Sequence, residues 1–172
     1  MQINATLIVQ SAEHRIFKLW PLIVSLLITL CIAVTASLFT IPQIPGWYSA
    51  LNKPSFNPPN WLFGPVWSAL YVMIAIAAYL VYQKRNSSAQ YNSARIVYFV
   101  QLLLNFLWSA MFFGMHQIWG ALVVIVLLLI AIVANIYYFG KYSKVAAGLL
   151  VPYLIWVSFA SVLNLYIYLL NR

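Results

Sequence analysis

Residues 47–71 read WYSALNKPSFNPPNWLFGPVWSALY. The stretch has two unlike halves. The first, to Trp61, sets Pro54, Pro58 and Pro59 among Trp47, Tyr48, Phe56 and Trp61. Proline fixes φ and lacks an N–H, so this half is a stiff loop and not a helix. Its rings are poorly solvated in water, so the loop is expected to fold back onto helix ends as a lid. In the second half an apolar run begins that lasts to residue 83. Within it Trp67, Tyr71, Ile74 and Ala78 fall at i, i+4, i+7 and i+11, which is one helix face. Small polar residues would suffice to join two membrane helices. A long aromatic connector implies that something beneath it needs covering.

The rest of the chain says what that is. Of its 172 residues 65% are hydrophobic and only 6% are charged, with a mean hydropathy of +0.93. A soluble domain carries roughly 25% charged residues, so this chain cannot clothe a water-facing surface. One span needs about 20 apolar residues. Five such runs are present, at 18–40, 62–83, 95–113, 117–140 and 146–169, with the lid at 41–61. The expected fold is therefore an all-α integral membrane protein, a five-transmembrane-helix bundle, forming a single membrane domain over 1–172 with no room for a soluble one. Pro42 and Pro45 are expected to end the first span, and Pro152 to kink the fifth. Short connections predict that sequential helices lie antiparallel as neighbours. The first 17 residues hold Glu13, His14 and Arg15 and lead into a full-length span, unlike a cleaved signal peptide.

The net charge of +8 is a topology signal. Counted on alternating sides, Arg15, Lys18, Lys84, Arg85, Arg95, Lys141 and Lys144 share one side, and only Lys53 and Arg172 lie on the other. Positive residues stay inside. The N-terminus is thus expected in the cytoplasm of a bacterial cell membrane, a mitochondrial outer membrane remaining open, with the lid facing out. The basic excess is expected to meet anionic membrane lipids and not nucleic acid. Cys31 is the lone cysteine, so no internal disulfide can form.

Chemistry is bounded by what is missing. Glu13 is the one acidic residue, so neither a carboxylate pair nor a buried proton relay can be built. His14 and His116 are far apart in sequence, and no metal-ligand spacing, phosphate loop or nucleophile elbow occurs. The unusual content is aromatic and amide. Gln101, Asn105, Trp108 and Phe112 line one face of the third span, and Pro152, Trp156, Ala160 and Asn164 step along the fifth. Buried amides must be paired, so Gln101, Asn105 and Asn164 are expected to face inward, either as interhelical bonds or toward a ligand. Three converging aromatic faces describe a pocket for a flat apolar molecule. In the first span Ser25, Thr29, Ala33 and Ser37 form a small-residue face, expected to pack within the molecule.

The opening stretch, with QLLLNFLWSAMFFG (101–114) and PYLIWVSFASVLN (152–164), resembles the signature of the TspO family: the tryptophan-rich sensory proteins of bacteria and the mitochondrial translocator protein, or peripheral benzodiazepine receptor. The resemblance implies a five-helix bundle, commonly a homodimer, with a pocket beneath the first connection. It implies a receptor or sensor that binds protoporphyrin IX and other tetrapyrroles, sterols or benzodiazepine-type compounds, in tetrapyrrole homeostasis or stress, with no cofactor required. Carried over, the ligand-binding residues are Tyr48, Trp67, Tyr71, Asn105, Trp156 and Ala160. Two alternatives are a porphyrin or sterol transporter and a light-dependent porphyrin-degrading enzyme. For the latter Trp67 and Trp156 are the catalytic candidates. The absence of a pocket His or Cys points to metal-free porphyrin, with the phenols of Tyr48 and Tyr71 the remaining groups able to ligate haem iron. A loose sterol-recognition pattern is met near the end of the sequence by Leu163, Tyr166 and Arg172, and equally by Leu165, Tyr168 and Arg172.

Overall fold

The computed structural model describes residues 19–85 and 88–172. Lys18 at the start of the first expected span, and Glu13, His14 and Arg15 before it, lie outside the described residues. The helices are α1 (Leu19–Thr40), α2 (Asn60–Gln83), α3 (Ala89–Ser109), α4 (Ile118–Gly140), α5 (Lys144–Leu149) and α6 (Val151–Leu170). With their flanking turns they make five segments long and apolar enough to cross a membrane. Only 11% of the most apolar window of the first segment is buried within the protein. Its Leu27, Leu30, Val34 and Leu38 face outward, and so much exposed apolar surface is tolerable only against lipid. The chain is an all-α, multi-pass integral membrane protein.

Local chemistry sets the helix ends. Ser88 caps α3 by accepting from the Tyr91 N–H at 3.2 Å, and Ser143 caps α5 by accepting from Ala146 at 3.2 Å. Each satisfies one of the donors that a helix N-terminus leaves open. Pro152 stands in the first turn of α6, just after the chain leaves α5 at Leu150, so the fifth segment breaks where proline was expected to kink it. Pro42 and Pro45 do not act as expected. A 3-10 turn over Ile41–Gln43 and a π turn over Ile44–Tyr48 carry the helical path on to Tyr48. Each proline occupies the first turn of its own short segment, where a missing N–H costs nothing. The lid proper is thereby shortened to residues 49–59.

Packing also departs from sequence order. The close pairs are α1 with α2 and α3, α3 with α4, α4 with α5 and α6, and α2 with α5. Consecutive α2 and α3 are not a close pair, because α1 stands between them. Its small-residue face lets it do so. Ser25 Oγ donates to Ala75 O of α2 at 2.7 Å, Thr29 is fully buried, and Ser109 Oγ of α3 donates to Ala36 O at 3.2 Å. Small residues and hydroxyl bonds are how helices approach closely in lipid, where no hydrophobic drive holds them together. Higher up, Ala33 and Ser37 leave this contact and border open space.

Candidate ligand pocket beneath the lid

Toward the lid the helices spread around a cavity of about 490 Å³, within the roughly 300–1,000 Å³ range of small-molecule pockets. Trp67 and Tyr71 come from α2, Asn105 and Trp108 from α3, Phe112 from the π turn over Ala110–Gly114 that follows it, and Ala160 from α6. Tyr48 descends from above. The rings form a continuous wall. Trp67 stacks toward Trp108 at 6.4 Å and 28°, and Trp108 on Phe112 at 5.6 Å and 25°. Offset stacking of this kind is the favoured arrangement for aromatic quadrupoles.

The polar floor is one connected unit. Tyr71 OH donates to Asn105 Oδ1 at 2.5 Å, and Asn105 Nδ2 donates to Tyr153 OH at 3.1 Å. One amide therefore ties α2, α3 and α6 together. Asn164 is spent differently: its Oδ1 accepts from Trp108 Nε1 at 3.0 Å and its Nδ2 donates to Ile118 O at 3.1 Å. It holds a ring of the wall in place.

The lid is fastened from several directions. Lys53 Nζ donates to the carbonyls of Tyr48, Ser49 and Leu51 at 2.7, 3.1 and 2.8 Å, covering acceptors that a helix C-terminus leaves open. Tyr48 OH donates to Asn57 Oδ1 at 2.8 Å. Asn52 and Asn171 bond reciprocally: Asn52 N donates to Asn171 Oδ1 at 3.0 Å and Asn171 Nδ2 to Asn52 O at 2.8 Å. Trp47 stacks on His116 at 4.3 Å, and His116 Nε2 lies 3.0 Å from Gln43 Oε1. His116 has φ of 55°, a left-handed conformation uncommon for a non-glycine residue, held here by those two contacts. Phe56 meets Phe159 and Tyr166 edge-on. Trp61 departs from the expected anchoring. It is 72% exposed at the start of α2, on the cavity rim, because helical geometry turns it away from the bundle.

Five of the six expected site residues border this one cavity: Tyr48, Trp67, Tyr71, Asn105 and Ala160. Trp156 does not. It sits behind Phe63, 5.9 Å from that ring, with its Nε1 buried and unbonded. Steps of four residues overshoot a 3.6-residue turn by about 40° each, so Pro152 and Trp156 rotate off the face that holds Ala160. The buried residues of α6 are Tyr153, Val157, Ala160, Leu163, Asn164 and Ile167, and all but Leu163 follow alternating steps of four and three. That alternation, read backward from Ala160, was the available signal for Tyr153. Gln101 faces inward as expected, fully buried, but neither amide atom has a partner. Tyr98 of α3 is also in the core, since α1 covers α3 at that height.

The profile of the TspO/MBR family matches residues 24–170. The chain is 45% identical to the tryptophan-rich protein TspO of Archaeoglobus fulgidus over 152 residues, 87% of this chain and 96% of that one. It is 39% identical to the human translocator protein over 119 residues, 69% of this chain and 70% of that one. It is also 39% identical to the tryptophan-rich sensory protein of Cereibacter sphaeroides over 118 residues, 69% and 72% of the two chains.

Proposed function

The chain belongs to the TspO/MBR family, and on that premise we propose that it is a membrane receptor whose lid-end cavity binds a flat hydrophobic ligand, a tetrapyrrole of the protoporphyrin IX kind. The observation that carries this reading is the stacked wall of Trp67, Trp108 and Phe112 above the Tyr71–Asn105–Tyr153 floor. A planar conjugated ring gains from parallel aromatic faces, and one polar group suffices to orient it. The phenols of Tyr48 and Tyr71 both donate to amide oxygens, which disfavours their use as haem-iron ligands and supports a metal-free porphyrin. A sensory role accords with the name of the Cereibacter relative. The basic residues Lys84, Arg85, Arg95, Lys141 and Lys144 gather at the end opposite the lid, which favours a cytoplasmic N-terminus and a lid facing out.

The test is a tryptophan-fluorescence titration of the purified protein with protoporphyrin IX, beside Ala160→Leu. Ala160 is buried on the cavity wall, and leucine there projects into the ligand's space. Saturable quenching in the micromolar range, about 8 kcal/mol of binding, is expected for the wild type, with affinity at least tenfold weaker in Ala160→Leu. Quenching that never saturates, and is identical in both proteins, would mean that porphyrin only partitions into detergent. A second reading, light-driven degradation of the bound porphyrin, is favoured by Trp67, which borders the cavity in stacked contact with Trp108. It assigns the redox role to Trp67 and not to Trp156.

A further inference from the structure

A second cavity lies at the other end of the bundle. About 350 Å³ of space separates the first turns of α1 from the facing turns of α2 and α3, with Phe139 of α4 as its floor. Its depth is apolar: Val24, Ile28, Ala78 and Phe139. Its rim is not. Tyr82, Tyr91 and Arg95 border it, and the guanidinium of Arg85 lies 4.0 Å over the Tyr82 ring. Arg85 and Arg95 both act electrostatically on Tyr91, so two cations overlook one opening. Among the described residues neither meets a carboxylate. The chain's single acidic residue is Glu13, outside them.

One buried group in this cavity is unused. Tyr98 is 6% exposed, borders the space, and its hydroxyl lies beside Ser25 with no hydrogen-bond partner. Ser25 gives its own proton to Ala75 O. Ser25 Oγ, having given up its proton, is the one acceptor near Tyr98 OH and does not reach it in hydrogen-bond geometry, so an acceptor on whatever fills the cavity gives that hydroxyl a better partner. The lid-end site does not account for this space. The Ser25–Ala75 contact and the close packing of α1 on α2 and α3 lie between the two.

We propose that this cavity binds one anionic glycerophospholipid. An acyl chain enters among Val24, Ile28 and Phe139, Tyr98 OH donates to an ester carbonyl, and the phosphate rests between Arg95 and Arg85. The class follows from the layering. A soluble anion has no use for an apolar floor, and a zwitterionic lipid brings its own headgroup cation to the phosphate, which opposes two neighbouring guanidiniums where an anionic lipid does not. Ester oxygens sit below phosphates in a bilayer, as Tyr98 sits below Arg95. Arginine suits the phosphate because its fork bonds two oxygens at once.

Native mass spectrometry of the full-length protein released from detergent tests this, with phosphatidylglycerol, phosphatidylcholine and oleate as probes. The variants are Arg95→Gln, Tyr98→Phe and, as a control at the same basic end, Lys144→Gln. One phosphatidylglycerol per chain is expected to persist, at least tenfold tighter than phosphatidylcholine. Arg95→Gln is expected to lose about tenfold and Tyr98→Phe severalfold, with Lys144→Gln unchanged. Protoporphyrin titration of Arg95→Gln is expected to match wild type, which separates this site from the lid-end cavity. Equal retention of phosphatidylcholine, or equal losses in Arg95→Gln and Lys144→Gln, would overturn the proposal in favour of nonspecific partitioning or diffuse attraction. Oleate displacing phosphatidylglycerol at equal concentration would assign the site to a free fatty acid instead. Phosphatidylglycerol binding that emerges only after removal of residues 1–18 would assign the space to the chain's own N-terminal segment.

Discussion

Replacing Asn105 by leucine tests whether one amide organises the pocket end of the bundle. Leucine keeps the approximate volume and removes both bonds, to Tyr71 at 2.5 Å and to Tyr153 at 3.1 Å. Interhelical bonds in membranes contribute about 0.6–1.7 kcal/mol each, so the two lost bonds account for about 1–3 kcal/mol. The stranded phenols add to this unequally. Tyr71 borders the cavity and can turn its hydroxyl toward it, whereas Tyr153 is 1% exposed with nowhere to turn. A buried orphan hydroxyl costs about 1–3 kcal/mol, which brings the expected loss to about 2–6 kcal/mol. The assay is reversible unfolding in mixed micelles, titrated with SDS and followed by circular dichroism. The informative comparison is the triple variant Asn105→Leu, Tyr71→Phe, Tyr153→Phe. Removing all three polar partners leaves nothing buried and unpaired, so it is expected to recover to within about 1 kcal/mol of wild type. If the three substitutions instead add, the groups act independently and the reasoning about a single connected floor is refuted.

Further expectations follow from the same geometry. Under illumination Trp67→Phe should slow the loss of bound porphyrin absorbance while Trp156→Phe leaves it unchanged, since only Trp67 borders the cavity; equal slowing in both would contradict the placement. Lys53→Met removes the donor to three lid carbonyls, and hydrogen exchange over residues 48–57 should quicken with a global stability change under about 1 kcal/mol; unchanged exchange there would show that the remaining contacts hold the lid alone. No lysine or arginine borders the lid-end cavity among the described residues, so the dimethyl ester of protoporphyrin should bind within about threefold of the diacid, and a loss of more than tenfold would reveal an ionic contact to the carboxylates. In a Cys31→Ser background, Ser55→Cys should react with a membrane-impermeant maleimide added outside whole cells, and protection until lysis would invert the topology.

Much of this was legible in the residues because composition and periodicity are local properties. The near-absence of charge required a bilayer, and runs of about 20 apolar residues placed the spans. The inward faces of the second and third spans were likewise readable, since Trp67 and Tyr71, like Asn105 and Trp108, are close enough along the helix for small errors of period to be harmless. The same pattern failed at Trp156 because errors of period accumulate with each turn. Pro42 and Pro45 were misread because proline forbids a helical interior but is well suited to a first turn, and which of these applies depends on where the next segment begins.

The sequence by itself determined that this chain lives in a membrane as five helices, that a stiff aromatic lid follows the first, and that aromatic and amide groups point inward. Only the tertiary structure decided that α1 stands between α2 and α3, that Tyr153 completes the floor through Asn105, and that a second cavity lies at the basic end. The division has a physical cause. Burial preference and helical phase are set by each residue and its near neighbours, whereas which helices touch depends on how small residues tens of positions apart, such as Ser25 and Ala75, fit against one another.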